Sequence, residues 1–135
     1  MTEEQVHNFE KIQAQLDSLY IEISALSKKN QNDALSPFKL KYVNKTLADA
    51  NIILTEEYKP FDDFQQFDEE NIPTNSDVNL ILGQYIGCME KLRADNIENE
   101  FGGRWIWVVE ENANIHSRDN IIKIRTSPPK KISIK

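Results

Sequence analysis

The sequence predicts an α+β fold that is mainly helical: a three-helix bundle with a C-terminal β-hairpin. Apolar residues recur at alternating spacings of three and four in three segments, and after Gly102-Gly103 they recur at every second position. The first spacing places side chains on one face of a helix, and the second is typical of strands. The 135 residues suit one domain, which we expect over residues 1–126, with 127–135 as a basic extended tail.

The first helix is predicted over about residues 3–29. Thr2 and Gln5 have the spacing of a capping box at its start, and Lys28 and Lys29 suit its C-terminal end, where cations are favourable. Its apolar stripe consists of Phe9, Ile12, Leu16, Leu19, Ile23 and Leu26.

The second helix is predicted over about residues 36–55 and the third over about 76–95. Ser36-Pro37 is a favourable helix start, and residues 74–77 are rich in N-cap types. The stripes are Leu40, Val43, Leu47, Ala50 and Leu54 in the second helix, and Val78, Ile81, Tyr85, Cys88 and Leu92 in the third. The period and the short first connection predict three antiparallel helices packed at shallow angles.

The β-hairpin is predicted over about residues 104–126. RWIWVV and IIKIRT alternate as strands, and residues 110–114 between them are expected to form a turn. Two strands alone are marginally stable in water, so the hairpin must pack on the helices or pair with another chain.

Composition and charge exclude several classes of protein. Cys88 is the only cysteine, the N-terminus lacks the pattern of a signal peptide, and no apolar run approaches the roughly 20 residues that a membrane span needs. We therefore expect a cytoplasmic protein without a membrane partner. Residues 1–117 carry 10 Lys/Arg and 21 Asp/Glu, a charge of −11, whereas residues 118–135 carry six Lys/Arg and one Asp, a charge of +5.

No catalytic motif is present. The chain lacks CxxC, HExxH, GxSxG and glycine-rich phosphate loops, so we expect no metal, no cofactor and no enzymatic activity. Cys88 lies on an apolar stripe, which favours an inert buried thiol. His116 near a turn is more typical of a surface residue than of a general base.

The segment between the second and third helices is the candidate site. Phe61, Phe64 and Phe67 recur at every third residue, and Asp62, Asp63, Asp68, Glu69 and Glu70 lie among them. Aromatic anchors mixed with charge are typical of protein interfaces, and long ordered loops are often functional. We predict a non-enzymatic adaptor, inhibitor or regulator that contacts a protein partner or a second copy here. Alternatively, the three phenylalanines cap the core of the bundle.

The basic tail supports a different prediction. Arg125, Lys130 and Lys131 are candidates for contacts with phosphates, which would make the chain a nucleic-acid-associated protein, although the acidic body opposes this. Two further alternatives rest on acidity and small size: a mimic of nucleic acid, or a secretion-type chaperone. The stretch 38–97 and the closing IRTSPPKK resemble hypothetical bacterial or phage proteins. That resemblance implies no known activity, so it assigns no role to any residue.

Overall fold

The computed structural model of the protein describes residues 1–115 and 120–130. Three helices are followed by three short strands, which confirms an α+β fold that is mainly helical. The elements are α1 (Glu3–Lys29), α2 (Pro37–Tyr58), α3 (Asn75–Asp95), β1 (Ile97–Glu100), β2 (Arg104–Trp107) and β3 (Arg125–Thr126), with a 3₁₀ turn at Glu110–Asn114. No described helix has the length and apolar character needed to cross a membrane.

Each helix begins at a side-chain cap. Thr2 and Gln5 form a reciprocal capping box on α1, because each side chain bonds the backbone N–H of the other residue. The Ser36 hydroxyl and the Thr74 hydroxyl accept from backbone N–H groups in the first turns of α2 and α3. These bonds satisfy donors that a helix cannot pair internally, so they fix where each helix starts.

The helices α2 and α3 run parallel to each other, and both run antiparallel to α1. The loop after α1 meets the start of α3, where Leu35 N donates to Pro73 O (3.0 Å). At the opposite end, the Tyr58 hydroxyl at the end of α2 donates to Asp95 at the end of α3 (2.6 Å). The expectation of three mutually antiparallel helices is therefore wrong for this pair. Residues 59–73, the crossover segment, return along the bundle instead of making a short turn.

The core lies between the helices and one face of the sheet. The apolar stripes of α1 and α2 contribute Phe9, Leu16, Leu40 and Leu47, all fully buried. On α3 the buried face is centred on Leu82 and Met89 rather than on the predicted line through Ile81 and Cys88, which are only half-buried. The Trp107 ring is edge-on to Phe9, with 5.1 Å between ring centroids, so the sheet packs on the bundle of the same chain.

The C-terminal β element is a three-stranded antiparallel sheet in the order β1-β2-β3, not a two-stranded hairpin. The predicted pairing of the two apolar segments is limited to Trp105 with Thr126 and Ile106 with Arg125. A tight hairpin joins β1 to β2 instead, and both glycines of its turn have positive φ (97° at Gly102, 80° at Gly103). β1 has the sequence IENE, which lacks apolar alternation, so its strand structure depends on pairing with β2.

The helix α2 contains a break at Thr55. This residue has φ 60° and ψ −177°, a conformation that residues with a β-carbon rarely adopt. The apolar stripe of α2 ends at Leu54, immediately before the break, and one further turn leads into the crossover segment.

Candidate functional site

The crossover segment is held against α2 by two asparagine side chains. Asn44 pairs with both backbone groups of Phe67: its Nδ2 donates to Phe67 O, and its Oδ1 accepts from Phe67 N, each at 2.9 Å. About two helical turns further along α2, Asn51 Nδ2 donates to Gln65 O (3.1 Å). Since residue 65 lies beside 51 and residue 67 beside 44, the segment runs antiparallel to α2.

The route of the crossover segment explains its length. A helix of 22 residues is about 33 Å long at 1.5 Å per residue. A short turn cannot span that distance, whereas 15 extended residues reach up to about 50 Å. The unusual length that suggested a functional loop is thus required by the parallel arrangement of α2 and α3.

Burial in the crossover segment has a period of three. Phe61, Phe64 and Phe67 are half-buried, and the two residues after each of them are exposed. The rings form an edge-to-face series, with centroids 6.4 Å apart for Phe61 and Phe64 and 5.0 Å apart for Phe64 and Phe67. Phe64 and Phe67 also pack against the hydrophobic core, whereas Phe61 is not among the residues that do so. The structure thus places two of the three rings where the core-capping alternative expected them.

The acidic residues of the crossover segment all face solvent. None of them forms an ion pair with a described residue. The Asp68 carboxylate accepts from the backbone N–H of Glu70 (2.9 Å) and so stabilises a local bend. The exposed set consists of Asp62, Asp63, Asp68, Glu69 and Glu70. The segment therefore presents five carboxylates to solvent on a backbone that hydrogen bonds from α2 hold in place.

A second polar site lies at the C-terminal end of α3. Glu90 and Arg93 form an ion pair that is almost fully buried, with side chains 7% and 2% exposed. The pair is bidentate: Arg93 Nε and Nη2 each donate to one carboxylate oxygen of Glu90, both at 2.8 Å. Two parallel bonds of this kind fix the orientation of both groups.

The Glu90–Arg93 pair binds the C-terminal segment, which we define as residues 126–130. Arg93 Nη1 donates to Thr126 Oγ1 (2.8 Å) and Ser127 O (2.7 Å), and Nη2 donates to Pro128 O (2.9 Å). In return, Lys130 N donates to Glu90 Oε2 (3.0 Å). All five N–H groups of the guanidinium are thereby used.

Burial and charge act in opposite directions at this site. Burial raises the pKa of Glu90, but hydrogen bonds from Arg93 and from Lys130 N outweigh it and leave the pKa below its usual value. Burial also raises the pKa of Asp17 on α1; the Lys130 charge opposes this, and the Glu90 charge adds to it. Asp17, Glu90 and Lys130 therefore form one electrostatic group that joins α1, α3 and the C-terminal segment.

The predicted tail residues differ in their positions. Arg125 is an exposed residue of β3, and the Lys130 side chain is exposed while its backbone N–H is bound to Glu90. Lys131 and His116 lie outside the described residues. Of the described tail residues, neither Arg125 nor Lys130 forms a hydrogen bond or ion pair with the crossover segment.

The residues that hold the two irregular segments were not among the site residues predicted from the sequence. Asn44 follows Val43 on the buried stripe of α2, and the Glu90–Arg93 pair has the three-residue spacing of helical neighbours between Met89 and Leu92. Polar residues adjoining an apolar stripe were the available signal. Their partners lie 23 to 40 residues away, which is too far along the chain for a local pattern to indicate the pairing.

The described residues contain no group of three His, Cys, Asp or Glu side chains close enough to hold a metal ion. Cys88 is half-buried, and burial raises the pKa of its thiol while the nearby Lys91 charge partly opposes the effect. A raised pKa disfavours the thiolate, which is the reactive form.

Comparison of the chain with protein-family models, curated proteins and solved structures gives no match.

Proposed function

We propose that the protein is a non-enzymatic binding module whose crossover segment contacts a basic surface of a partner protein. The observation that carries this proposal is the three-residue period of burial. It turns Asp62, Asp63, Asp68, Glu69 and Glu70 toward solvent on a backbone that Asn44 and Asn51 hold in place.

A fixed array of carboxylates is suited to binding for two physical reasons. Its charges attract an oppositely charged partner over a distance and orient the encounter. Its backbone is already ordered, so binding costs less conformational entropy than it would for a free acidic loop. Phe61, half-buried and at one end of the ring series, offers an apolar contact beside the carboxylates.

The charge of the chain favours a basic partner over a second copy. Residues 1–117 carry a charge of −11, so two copies facing each other through their crossover segments would repel. Arginine on the partner is the best match, because its guanidinium binds carboxylates in a bidentate manner.

The test compares capture by three full-length chains from a nuclease-treated lysate of the source cells. The first is the native chain. The second carries Asp62→Asn, Asp63→Asn, Glu69→Gln and Glu70→Gln, while Asp68 is kept because it stabilises a bend. The third is a matched control with the same change of charge at exposed positions elsewhere: Glu4→Gln, Glu10→Gln, Glu57→Gln and Glu98→Gln.

We expect a stoichiometric partner that the native chain and the control retain and that the crossover variant loses. Rising salt should release it, because the attraction is between exposed charges. Equal capture by all three chains would contradict the proposal, and so would equal loss from both neutralised chains, since the effect would then follow net charge rather than position.

A further inference from the structure

The C-terminal segment is bound by its backbone more than by its side chains. Of its four polar contacts with the Glu90–Arg93 pair, three involve backbone groups: the carbonyls of Ser127 and Pro128 and the N–H of Lys130. Thr126 Oγ1 is the only side-chain atom in the set. The pair therefore offers donors and an acceptor at the positions where an extended chain presents the complementary groups.

Two prolines make the C-terminal segment a particularly good match. Pro128 and Pro129 have no backbone N–H, so the segment presents no backbone donor between Ser127 and Lys130. The first backbone donor after the prolines is the Lys130 N–H, which donates a hydrogen bond to the Glu90 carboxylate. Proline also fixes φ, so such a segment loses little conformational entropy when it binds in extended form.

The basic residue after the prolines lies beside the Glu90 carboxylate. Lys130 N lies 3.0 Å from Glu90 Oε2. The Lys130 side chain is exposed, and its positive charge acts to lower the pKa of Glu90 and, more weakly than burial raises it, the pKa of Asp17 on α1. The site thus has polar groups for the backbone of a bound segment and a negative charge beside the position of its cation.

A buried ion pair usually adds little net stability to a helical bundle. Apolar residues of similar volume usually serve as well or better, because the charges must be desolvated. Here the guanidinium has three N–H groups left over after it binds Glu90, and the C-terminal segment receives all three. The residue types are thus explained by what they bind rather than by packing alone.

We propose that Glu90 and Arg93 form a peptide-binding site for an extended segment with a hydroxyl residue, two prolines and a lysine in the spacing of residues 126–130. The chain's own segment fills this site and competes with a peptide from a partner. The site is separate from the crossover segment, so it stands or fails independently of the function proposed above.

The test measures binding of a fluorescent peptide, IRTSPPK, to full-length chains by anisotropy. The native chain should bind it weakly, because its own segment occupies the site. Lys130→Pro removes both the N–H that Glu90 accepts and the cation while keeping the whole chain, so it should weaken the internal competitor. We expect the Lys130→Pro chain to bind the peptide with about tenfold higher affinity than the native chain does. This is the change in affinity that corresponds to loss of one charge-assisted hydrogen bond in the internal competitor.

Peptide variants provide the matched control, because they cannot affect the folding of the protein. IRTSPPP lacks the N–H and the cation, and KRTSPIP has the same net charge as IRTSPPK with the wrong order. Both should bind the Lys130→Pro chain at least about tenfold more weakly than IRTSPPK. Equal binding of IRTSPPK and KRTSPIP would overturn the proposal, since it would reduce the effect to charge, and so would absence of binding to a folded Lys130→Pro chain.

A second measurement on the native chain covers the case in which Lys130→Pro does not fold. Excess unlabelled IRTSPPK should displace the internal segment and accelerate hydrogen exchange at the Lys130 amide, which Glu90 protects. KRTSPIP at the same concentration should not. An unchanged exchange rate under saturating IRTSPPK would contradict the proposal.

Discussion

The crossover segment and the C-terminal segment are both irregular backbone held on a helix by side chains, but the chemistry of the two attachments differs. Neutral amides of Asn44 and Asn51 hold the crossover segment, which is acidic. The charged Glu90–Arg93 pair holds the C-terminal segment, which is basic. In the first, the charges point to solvent; in the second, the charges themselves form the attachment.

The two kinds of attachment differ in whether they leave the charged side chains of the bound segment free to face solvent. An amide presents one donor side and one acceptor side, as a neighbouring strand does, so Asn44 can bind Phe67 without affecting the charges around it. The Glu90–Arg93 pair is stronger and more directional, but it is costly when incomplete, because a buried charge without its partner is destabilising. The crossover segment is therefore suited to display a surface, and the Glu90–Arg93 pair to select what occupies it.

Removal of the guanidinium should have the largest effect. Arg93→Met leaves Glu90 buried without a counter-charge and releases the C-terminal segment. We expect the free energy of unfolding to fall by about 3–5 kcal/mol, measured by urea denaturation.

The matched control is the double variant Glu90→Leu with Arg93→Met, which removes both charges. It should be more stable than Arg93→Met alone, since no uncompensated charge remains. If the double variant is less stable than the single one by the full cost of a second substitution, the two residues act independently and the account of the pair is wrong.

Removal of one amide should have a smaller effect. Asn44→Ala deletes two hydrogen bonds to Phe67 and should lower the free energy of unfolding by about 2 kcal/mol. The Phe67 amide should also exchange faster with solvent, which hydrogen exchange detects directly. Lys45→Ala, at the exposed neighbouring position, should change neither quantity appreciably; an equal effect there would contradict the role assigned to Asn44.

The helices are the part of this fold that the sequence predicts best. Their stripes, such as Leu40 to Leu54, are local patterns with caps at Ser36 and Thr74, and local signals suffice to place a helix. The acidic, phenylalanine-rich stretch between α2 and α3 is also recognisable in the sequence. The predicted direction of α3 was wrong, because a 15-residue connection is compatible with either direction until its path along α2 is known.

What the sequence did not predict depends on pairing between distant residues. β1 is mostly polar and forms a strand only because β2 lies beside it. The rotation of the buried face on α3 from Cys88 toward Met89 reflects packing against α1, not the spacing on α3 itself. The contacts of Asn44, Glu90 and Arg93 belong to the same class, since each joins a helix to a segment far away in the chain.

Acid should distinguish the two attachments. The pKa of Glu90 is lowered in the folded chain, so its contribution is complete above the unfolded-state pKa and is lost as the pH falls through the folded-state value. The difference in unfolding free energy between the native chain and Glu90→Gln should therefore shrink on going from neutral to acidic pH. The pKa of Asp17 is raised, so its protonation changes the unfolding free energy in the opposite direction. Both chains of this comparison should therefore carry Asp17→Asn.

The corresponding difference for Asn44→Ala should stay constant with pH, because an amide does not titrate. A parallel decline for Asn44→Ala would mean that acid loosens the whole bundle rather than the charged attachment.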